Sequence, residues 1–167
     1  MLKLLTIFAC LLLFDQPLKA RNGAPNYNLV IESLSDFYPG KKLEDVEKAH
    51  GKGEITNDKG GVQTKKFLVS KNGLSFPVLV QFKDDVVIDF FVRFASSLPH
   101  NDFHKAFLKS LGPQSSYKPG NGDALYTWVK TPLKHTYSAA CTITCFPIFY
   151  AVQKIEPENP SILELMK

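Results

Sequence analysis

The chain has 167 residues, of which 44% are hydrophobic and 22% are charged, and its formal net charge at pH 7 is +4. This length fits one compact domain or two very small ones. The lysines are spread along the chain, and the only arginines are Arg21 and Arg93. The sequence therefore lacks the concentrated basic stripe that is typical of nucleic-acid-binding proteins, and we expect no nucleic-acid partner.

The beginning of the chain has the three-part pattern of a secretory signal. Lys3 gives a basic start, residues 4–14 are apolar, and Ala20 offers a small residue for cleavage. An apolar run of this length spans about 16 Å as a helix, whereas a membrane hydrocarbon core is about 30 Å thick. We therefore predict a signal peptide at 1–20, no transmembrane span, and a secreted or periplasmic protein. The alternative is a lipoprotein that is lipidated at Cys10.

Two helices and three strands are predicted in the first half of the chain. Apolar residues at helical spacing predict short amphipathic helices at 28–37 and 42–50, and Gly51 marks the end of the second. The charged, glycine-containing stretch 52–63 is interpreted as a loop. Alternating apolar residues then predict strands at 64–70, 74–82 and 86–94.

Hairpin turns are predicted between these strands, at Asn72-Gly73 and at Asp84-Asp85. Pro77 lies within the second strand and has no N–H to donate to a neighbouring strand. We therefore expect this strand to lie at an edge of the sheet or to carry a bulge.

The second half of the chain has the same order of elements. A helix that ends at Leu111 is followed by a loop at 114–123. A polar break then separates the last strand from the C-terminal tail, 157–167, which we expect to add one helical turn or to fray. The strands predicted in this half are 125–130, 136–143 and 147–155.

The two halves share a spacing of helix positions that recurs 61 residues further along the chain. Repetition at a fixed period indicates a repeated structural unit. We therefore predict an α+β fold of two α-β-β-β repeats, 21–95 and 96–156, with antiparallel sheets and with the helices on one face. The two sheets are joined side by side or packed at an angle. The matching positions are Gly40 with Asn101, Val46 with Phe107, and Gly51 with Gly112.

The sequence that follows the predicted signal peptide keeps two cysteines, Cys141 and Cys145. An even number of cysteines in an exported protein favours a disulfide. On a straight strand these residues would lie about 13 Å apart, too far for a bond, so the bridge requires a turn at 142–144. We expect this disulfide. Two free buried thiols, or a redox or metal pair, are the alternatives.

The segment from Gly40 to Gly51 resembles the helix signature of the small bacterial outer-membrane assembly lipoproteins, in which a glycine, a valine and a glycine have this spacing. The tandem arrangement over 28–155 is similar to the β-lactamase inhibitor protein family, whose two α/β repeats present a concave sheet to a partner. This resemblance implies a protein that binds other proteins and is not a catalyst.

Three sets of residues were weighed as chemical sites. His100 and His104 have a helical spacing that suits a metal, but no third ligand lies near them in sequence. His135 could act as the base for a cysteine thiol, but both cysteines lie among small and apolar residues. The carboxylates of Asp84 and Asp85 diverge because they occupy a turn. We therefore expect no catalytic residues, no metal and no cofactor.

Aromatic residues give the stronger functional indication. We expect Phe91, Arg93, Tyr126, Trp128 and Tyr150 to lie on the sheet face opposite the helices and to form the binding site. Exposed aromatic side chains together with arginine are typical of protein interfaces. The alternative is that this face is packed inside the molecule, one repeat against the other.

We therefore predict an exported, non-enzymatic protein-binding module with another protein as its partner. An inhibitor of a secreted enzyme and an envelope assembly factor are the two versions of this hypothesis. The alternative is a small-ligand or lipid-binding periplasmic protein with a pocket between helices and sheet. An unrecognised hydrolase is the third possibility.

Overall fold

The computed structural model describes residues 26–141, 143–157 and 159–165. The predicted signal peptide at 1–20 and the alternative lipidation at Cys10 lie outside the described residues. The helices in the described part are α1 (Tyr27–Ser33), continued by a 3₁₀ turn at Leu34–Phe37, α2 (Leu43–His50), α3 (His100–Leu111) and α4 (Ile162–Leu165). The strands are β1 (Glu54–Lys59), β2 (Val62–Lys71), β3 (Leu74–Lys83), β4 (Val86–Arg93), β5 (Ser116–Pro119), β6 (Asp123–Lys130), β7 (Leu133–Cys141) and β8 (Cys145–Lys154).

The strands form one antiparallel sheet of eight strands in the order β1-β2-β3-β4-β8-β7-β6-β5. Each half of the chain contributes a meander of four neighbouring strands, and the last strands of the two meanders, β4 and β8, pair at the centre. The predicted α+β class and antiparallel sheet are thereby confirmed. The two halves are joined side by side in a single sheet.

The two predicted hairpin turns are confirmed. The backbone φ angles of Asn72 and Gly73 are 55° and 77°, and those of Asp84 and Asp85 are 50° and 58°. Two-residue hairpin loops of this kind require positive φ at both central residues, and Asn, Gly and Asp tolerate it best. These turns set the register of β2 with β3 and of β3 with β4.

Among the described residues each half of the chain has four strands, and the prediction of three was wrong. The additional strands, β1 and β5, lie in segments that were interpreted as loops, and they form the two edges of the sheet. All residues of both strands are exposed. A strand without a buried face has no alternation of apolar and polar residues, and this alternation is the signal by which a strand is read from sequence.

The position predicted for β3 was wrong, because β3 lies inside the sheet between β2 and β4. Pro77 pairs with Leu68 of β2, but the pairing of β3 with β4 begins only at the next residue, Val78. At Pro77 the strand therefore has a neighbour on one side only, which is the situation in which proline is tolerated. The alternative expected from Pro77 was a bulge, and the pairing of β3 with β4 does have a register shift, which falls between Gln81 and Phe82.

The main hydrophobic core lies between one face of the sheet and the helices α1, α2 and α3. Val46 of α2 and Phe107 of α3 both belong to it and are 1% and 0% exposed. The two halves share this core, since Tyr27 of α1 packs on Phe103 of α3 with 4.7 Å between ring centroids. Aromatic rings fill it, among them Phe37, Phe67 and Phe90 near α2, and Trp128, Tyr137 and Tyr150 near α3.

The prediction that the helices lie on one face was wrong for α4. This single turn packs on the opposite face of the sheet, where Ile162 contacts Phe91 of β4 and Ala151 of β8. We call the face opposite α1–α3 the open face, and we call residues 161–165 the strap. The helical turn expected in the C-terminal tail is therefore present, and it is attached to the sheet.

Candidate binding face

Two of the five predicted site residues, Phe91 and Arg93, lie on the open face. The other three lie in the main core: Tyr126 is 9% exposed, and Trp128 and Tyr150 are each 0% exposed. The prediction that these three residues lie opposite the helices was therefore wrong.

The error at Tyr150 comes from the offset of 61 residues. This offset makes Tyr150 equivalent to Asp89, whose side chain is on the open face, but in the sheet Tyr150 pairs with Val92 and shares its face. Register shifts skip Ile88 in the pairing of β4 with β3 and Ile148 in the pairing of β8 with β7, and these two residues are 60 positions apart. An offset of 61 is therefore one residue too long for β8, and a change of one residue turns every side chain of a strand to the other face.

The open face contains a groove with a volume of about 470 Å³. It runs over β4, β8, β7 and β6 and is bounded on one side by the strap. Leu125 and Phe149 form apolar walls of the groove, and both side chains are half-buried. We call this space the groove.

The groove exists because small side chains meet in one row across the sheet. Thr127 of β6 pairs with Thr136 of β7, and Thr136 pairs in turn with Ala151 of β8. The row ends at Phe91 of β4, which pairs with Ala151. Three short side chains between bulkier neighbours leave a depression in the sheet surface. The sequence analysis missed Thr127 and Thr136, although the alternation in β6 and β7 places both on the face opposite Trp128 and His135.

Two cations lie at opposite ends of the groove. Arg93 is exposed and pairs with Phe149, whereas Lys134 is half-buried and pairs with Gln153. These pairs are four residues apart along β8, about 13 Å, and the two cations are two strands apart, about 10 Å. Their main-chain positions are thus about 16 Å from each other by strand geometry. They can contact the two ends of an elongated ligand and are too far apart for one small anion.

The strap is held by a buried carboxylate. Asp89 of β4 is 4% exposed, and its Oδ2 atom accepts a hydrogen bond of 2.9 Å from the main-chain N–H of Ile162. In the amide orientation that satisfies its hydrogen bonds, Gln81 donates to both carboxylate oxygens over 3.0 Å. Burial raises the pKa of Asp89 to about 7, and the hydrogen bond from Ile162 counteracts part of this rise. The sequence shows Asp89 only as a lone carboxylate among the apolar residues of β4.

Tyr150 has a structural role in the core. Its hydroxyl group forms a hydrogen bond of 2.7 Å with Nδ1 of His135 and lies 3.4 Å from the hydroxyl oxygen of Tyr38. Burial, together with the smaller effect of the positive charge of Lys130, lowers the pKa of His135 to about 4. His135 is therefore neutral at physiological pH and satisfies a buried hydroxyl group.

His100 and His104 are also part of the packing between α3 and the sheet. Their rings are stacked with centroids 5.5 Å apart, and Nδ1 of His100 forms a hydrogen bond of 2.9 Å with the hydroxyl group of Tyr137. Burial lowers the pKa of both histidines, and each imidazole favours its neutral form. The described residues contain no group of three or more side chains that could hold a metal ion.

The predicted disulfide between Cys141 and Cys145 is confirmed. The two residues pair at the end of the β7–β8 hairpin with their Cα atoms 4.1 Å apart. Because both sulfur atoms are bonded, neither cysteine supplies the thiol that His135 would activate.

Comparisons with protein-family models, with curated proteins and with solved structures give no match to this chain. Within the described ranges, no helix has both the length and the hydropathy that a membrane crossing requires.

Proposed function

We propose that this is an exported, non-enzymatic protein that binds another protein through the open face of its sheet. The observation that carries the proposal is the groove, a depression of about 470 Å³ with apolar walls and a cation at each end. An inhibitor of a secreted enzyme and an envelope assembly factor are the two versions of this proposal. The acid–base groups in the main core hold its packing together, so the chemistry available to a ligand lies on the open face.

The composition of the open face supports a protein partner. Phe149, Leu125 and Arg93 supply the aromatic, aliphatic and arginine contacts that are enriched at protein interfaces. Apolar surface continues beyond the groove at Leu68 and Val129, which are 70% and 47% exposed. A broad, partly apolar face with hydrogen-bonding threonines suits an extended segment or a loop of a partner.

The charged residues that line the groove indicate which charges the partner carries. Arg93 and Lys134 line it, and Glu164 of the strap is the acidic residue at its border. An elongated segment that carries carboxylates about 16 Å apart, the length of about five residues of extended chain, would reach both cations. We therefore propose that the partner presents an apolar segment with acidic residues at both ends.

The proposed location is secreted or periplasmic. The disulfide between Cys141 and Cys145 supports it, because disulfides persist in oxidising compartments and are rare in the cytosol. The pattern of residues 1–20 supports the same location.

We further propose that the two halves of the chain are copies of one unit. Adding 61 to the bounds of β2, 62–71, gives 123–132, and β6 spans Asp123–Lys130. The same addition to the bounds of α2, 43–50, gives 104–111, which lies within α3. The mirrored strand order about β4 and β8 agrees with such a duplication.

A small ligand or a lipid is the second candidate occupant. The volume of the groove lies within the range of about 300–1,000 Å³ that is usual for small-molecule sites. This candidate places the ligand on the open face, on the other side of the sheet from the pocket between helices and sheet that the sequence suggested.

Affinity capture from the cells that produce the protein tests the proposal when it is combined with variants of the groove. The double variant Arg93→Glu/Lys134→Glu reverses both groove charges, and Lys105→Glu/Lys109→Glu reverses two exposed charges on α3 as a matched control. We expect one stoichiometric protein with the wild type and the control, and at least a tenfold loss with the groove variant. Equal capture by all three proteins contradicts the proposal. Recovery of bound lipid alone, detected by mass spectrometry of an organic extract, favours the second candidate.

A further inference from the structure

We propose that the strap occupies part of the partner site, and that a partner segment of the same chemistry displaces it. That chemistry is a free main-chain N–H beside an aliphatic side chain, followed by an acidic residue, as in Ile162, Leu163 and Glu164. This inference rests on the proposed function, because it concerns the occupant and the regulation of the same face.

The strap is attached at few points. Ser161 and Ile162 are 2% and 4% exposed, whereas Leu163 is half-buried and Leu165 is 60% exposed. The helical part is a single turn of four residues, which is far too short to be stable by itself. Its position therefore depends on the contact of Ile162 with Phe91 and Ala151 and on the hydrogen bond to Asp89.

Asp89, which holds the strap, recognises a main-chain group. The carboxylate of Asp89 accepts the backbone N–H of Ile162, a group that every residue except proline can supply. Burying a polar carboxyl group costs free energy, and apolar contacts alone would hold a segment that served only as a cover. A buried acceptor beside a seat for one aliphatic side chain, over Ala151 and against Phe91, is instead suited to peptide recognition.

The seat of the strap and the groove form one continuous surface. Leu163 and Glu164 line the groove that Arg93 and Lys134 also line. A partner segment that replaces Ile162 in its seat would therefore extend directly into the groove, where its acidic residues meet the two cations. Displacement of the strap enlarges the available face and couples the two parts of the site.

The test uses the full mature chain and a synthetic peptide of residues 159–165 with blocked ends. Ile162→Asp introduces a charge into the apolar seat and releases the strap in the intact protein. We expect the peptide to bind this variant at least tenfold more tightly than the wild type, whose own strap competes, as measured by isothermal titration calorimetry. Amide resonances of Phe91 and Ala151 should shift on titration. A peptide with the same Ile162→Asp change should not bind.

Leu165→Asp is the matched control, because Leu165 is exposed and its substitution leaves the seat filled. This variant should bind the peptide as weakly as the wild type does. Ile162→Ser serves as a milder second variant if circular dichroism shows that Ile162→Asp is unfolded. Equal affinity of the peptide for the wild type and the folded Ile162 variant, or no binding to that variant, overturns the proposal.

The result separates this inference from the proposed function. If a partner is captured through Arg93 and Lys134 but the peptide neither binds nor competes with it, the strap inference is wrong and the proposed function stands. If the peptide binds in the seat of the strap but no protein is captured, the strap is a displaceable segment and the proposed function is wrong.

Discussion

Asp89 and Ile162 are 73 residues apart in the sequence, and a hydrogen bond of 2.9 Å between them fixes the C-terminal segment on the open face. Both side chains are at most 4% exposed. The pKa of Asp89 is raised from 3.8 to about 7 by burial, so the folded protein favours the neutral carboxyl group. The stabilising effect of this proton is full below pH 3.8 and is lost as the pH rises towards 7.

The first prediction concerns Asp89→Asn, which replaces this carboxyl group by a neutral amide. Relative to the wild type, the variant should gain free energy of unfolding between pH 4 and pH 8, by up to about 4 kcal/mol for a shift of this size. Urea denaturation of both proteins at pH 4, 6 and 8 measures this gain. Glu156→Gln, at an exposed position, is the control, and its free energy of unfolding should stay within about 0.5 kcal/mol of the wild type at each pH. A difference between Asp89→Asn and wild type that does not vary with pH contradicts the prediction.

The second prediction concerns His135, whose pKa is lowered from 6.5 to about 4. The neutral imidazole is favoured in the folded protein, so its contribution to stability is full above pH 6.5 and is lost as the pH falls towards 4. The loss should reach about 3 kcal/mol. Titration of the His135 ring by NMR should give a midpoint near pH 4, and a midpoint near 6.5 would show that the ring is solvated.

The effects of these two groups oppose each other between pH 4 and 6.5. As the pH rises through this range, neutral His135 adds stability while ionisation of Asp89 removes it. In the wild type, this pair should therefore cause little net change in the free energy of unfolding with pH. In Asp89→Asn, the free energy of unfolding should rise with pH, because only His135 then contributes.

The third prediction concerns Val46 and Phe107, which occupy the buried sides of α2 and α3. Phe107→Ala should lower the free energy of unfolding by about 3–5 kcal/mol, because it leaves a cavity among Trp128, Tyr137 and Tyr150. Val46→Ala removes two methylene equivalents and should cost about 2 kcal/mol. Leu68→Ala, at a side chain that is 70% exposed, is the control and should stay within about 0.5 kcal/mol of the wild type. Chemical denaturation of the three variants checks this order, and a loss at Leu68 as large as that at Phe107 would refute it.

The fourth prediction concerns the disulfide. The intact mass of the protein should increase by two hydrogen atoms on reduction. Replacement of Cys141 and Cys145 by serine should lower the free energy of unfolding by about 2 kcal/mol, as the chain-entropy estimate gives for a loop this short. The measurement is denaturation of the wild type and the double variant under oxidising conditions. Under reducing conditions the two proteins should become similar in stability. An unchanged mass after reduction would show that the thiols are free.

The parts of the fold that could be predicted from sequence are those with a buried and a solvated side. Phe76, Val78 and Val80 alternate with less buried positions in β3, and Phe103 and Phe107 recur at helical spacing in α3, so β3 was predicted nearly at its observed bounds and α3 at its observed end. The turn residues of the first two hairpins were equally informative. The strands β1 and β5 have no buried side, so their sequences lack the alternation of apolar and polar residues that predicts a strand.

The parts of the site that could not be predicted depend on long-range pairing. The face of Tyr150 follows from the pairing of β8 with β4, and the burial of Asp89 follows from the return of the strap across the sheet. The groove depends on three separate strands, which place Thr127, Thr136 and Ala151 in one row. Of the five predicted site residues, only Phe91 and Arg93 were placed on the correct face.

Site-specific photocrosslinking in the cells that produce the protein tests the central claim, binding of another protein by the open face, most directly. A benzophenone side chain at Leu125, in the wall of the groove, is compared with the same group at Lys109, exposed on α3. The account predicts one discrete protein adduct from Leu125 and none from Lys109, with the Leu125 adduct lost when Arg93 and Lys134 are changed to glutamate. The absence of a protein adduct at Leu125, or the same adduct at both positions, would contradict it.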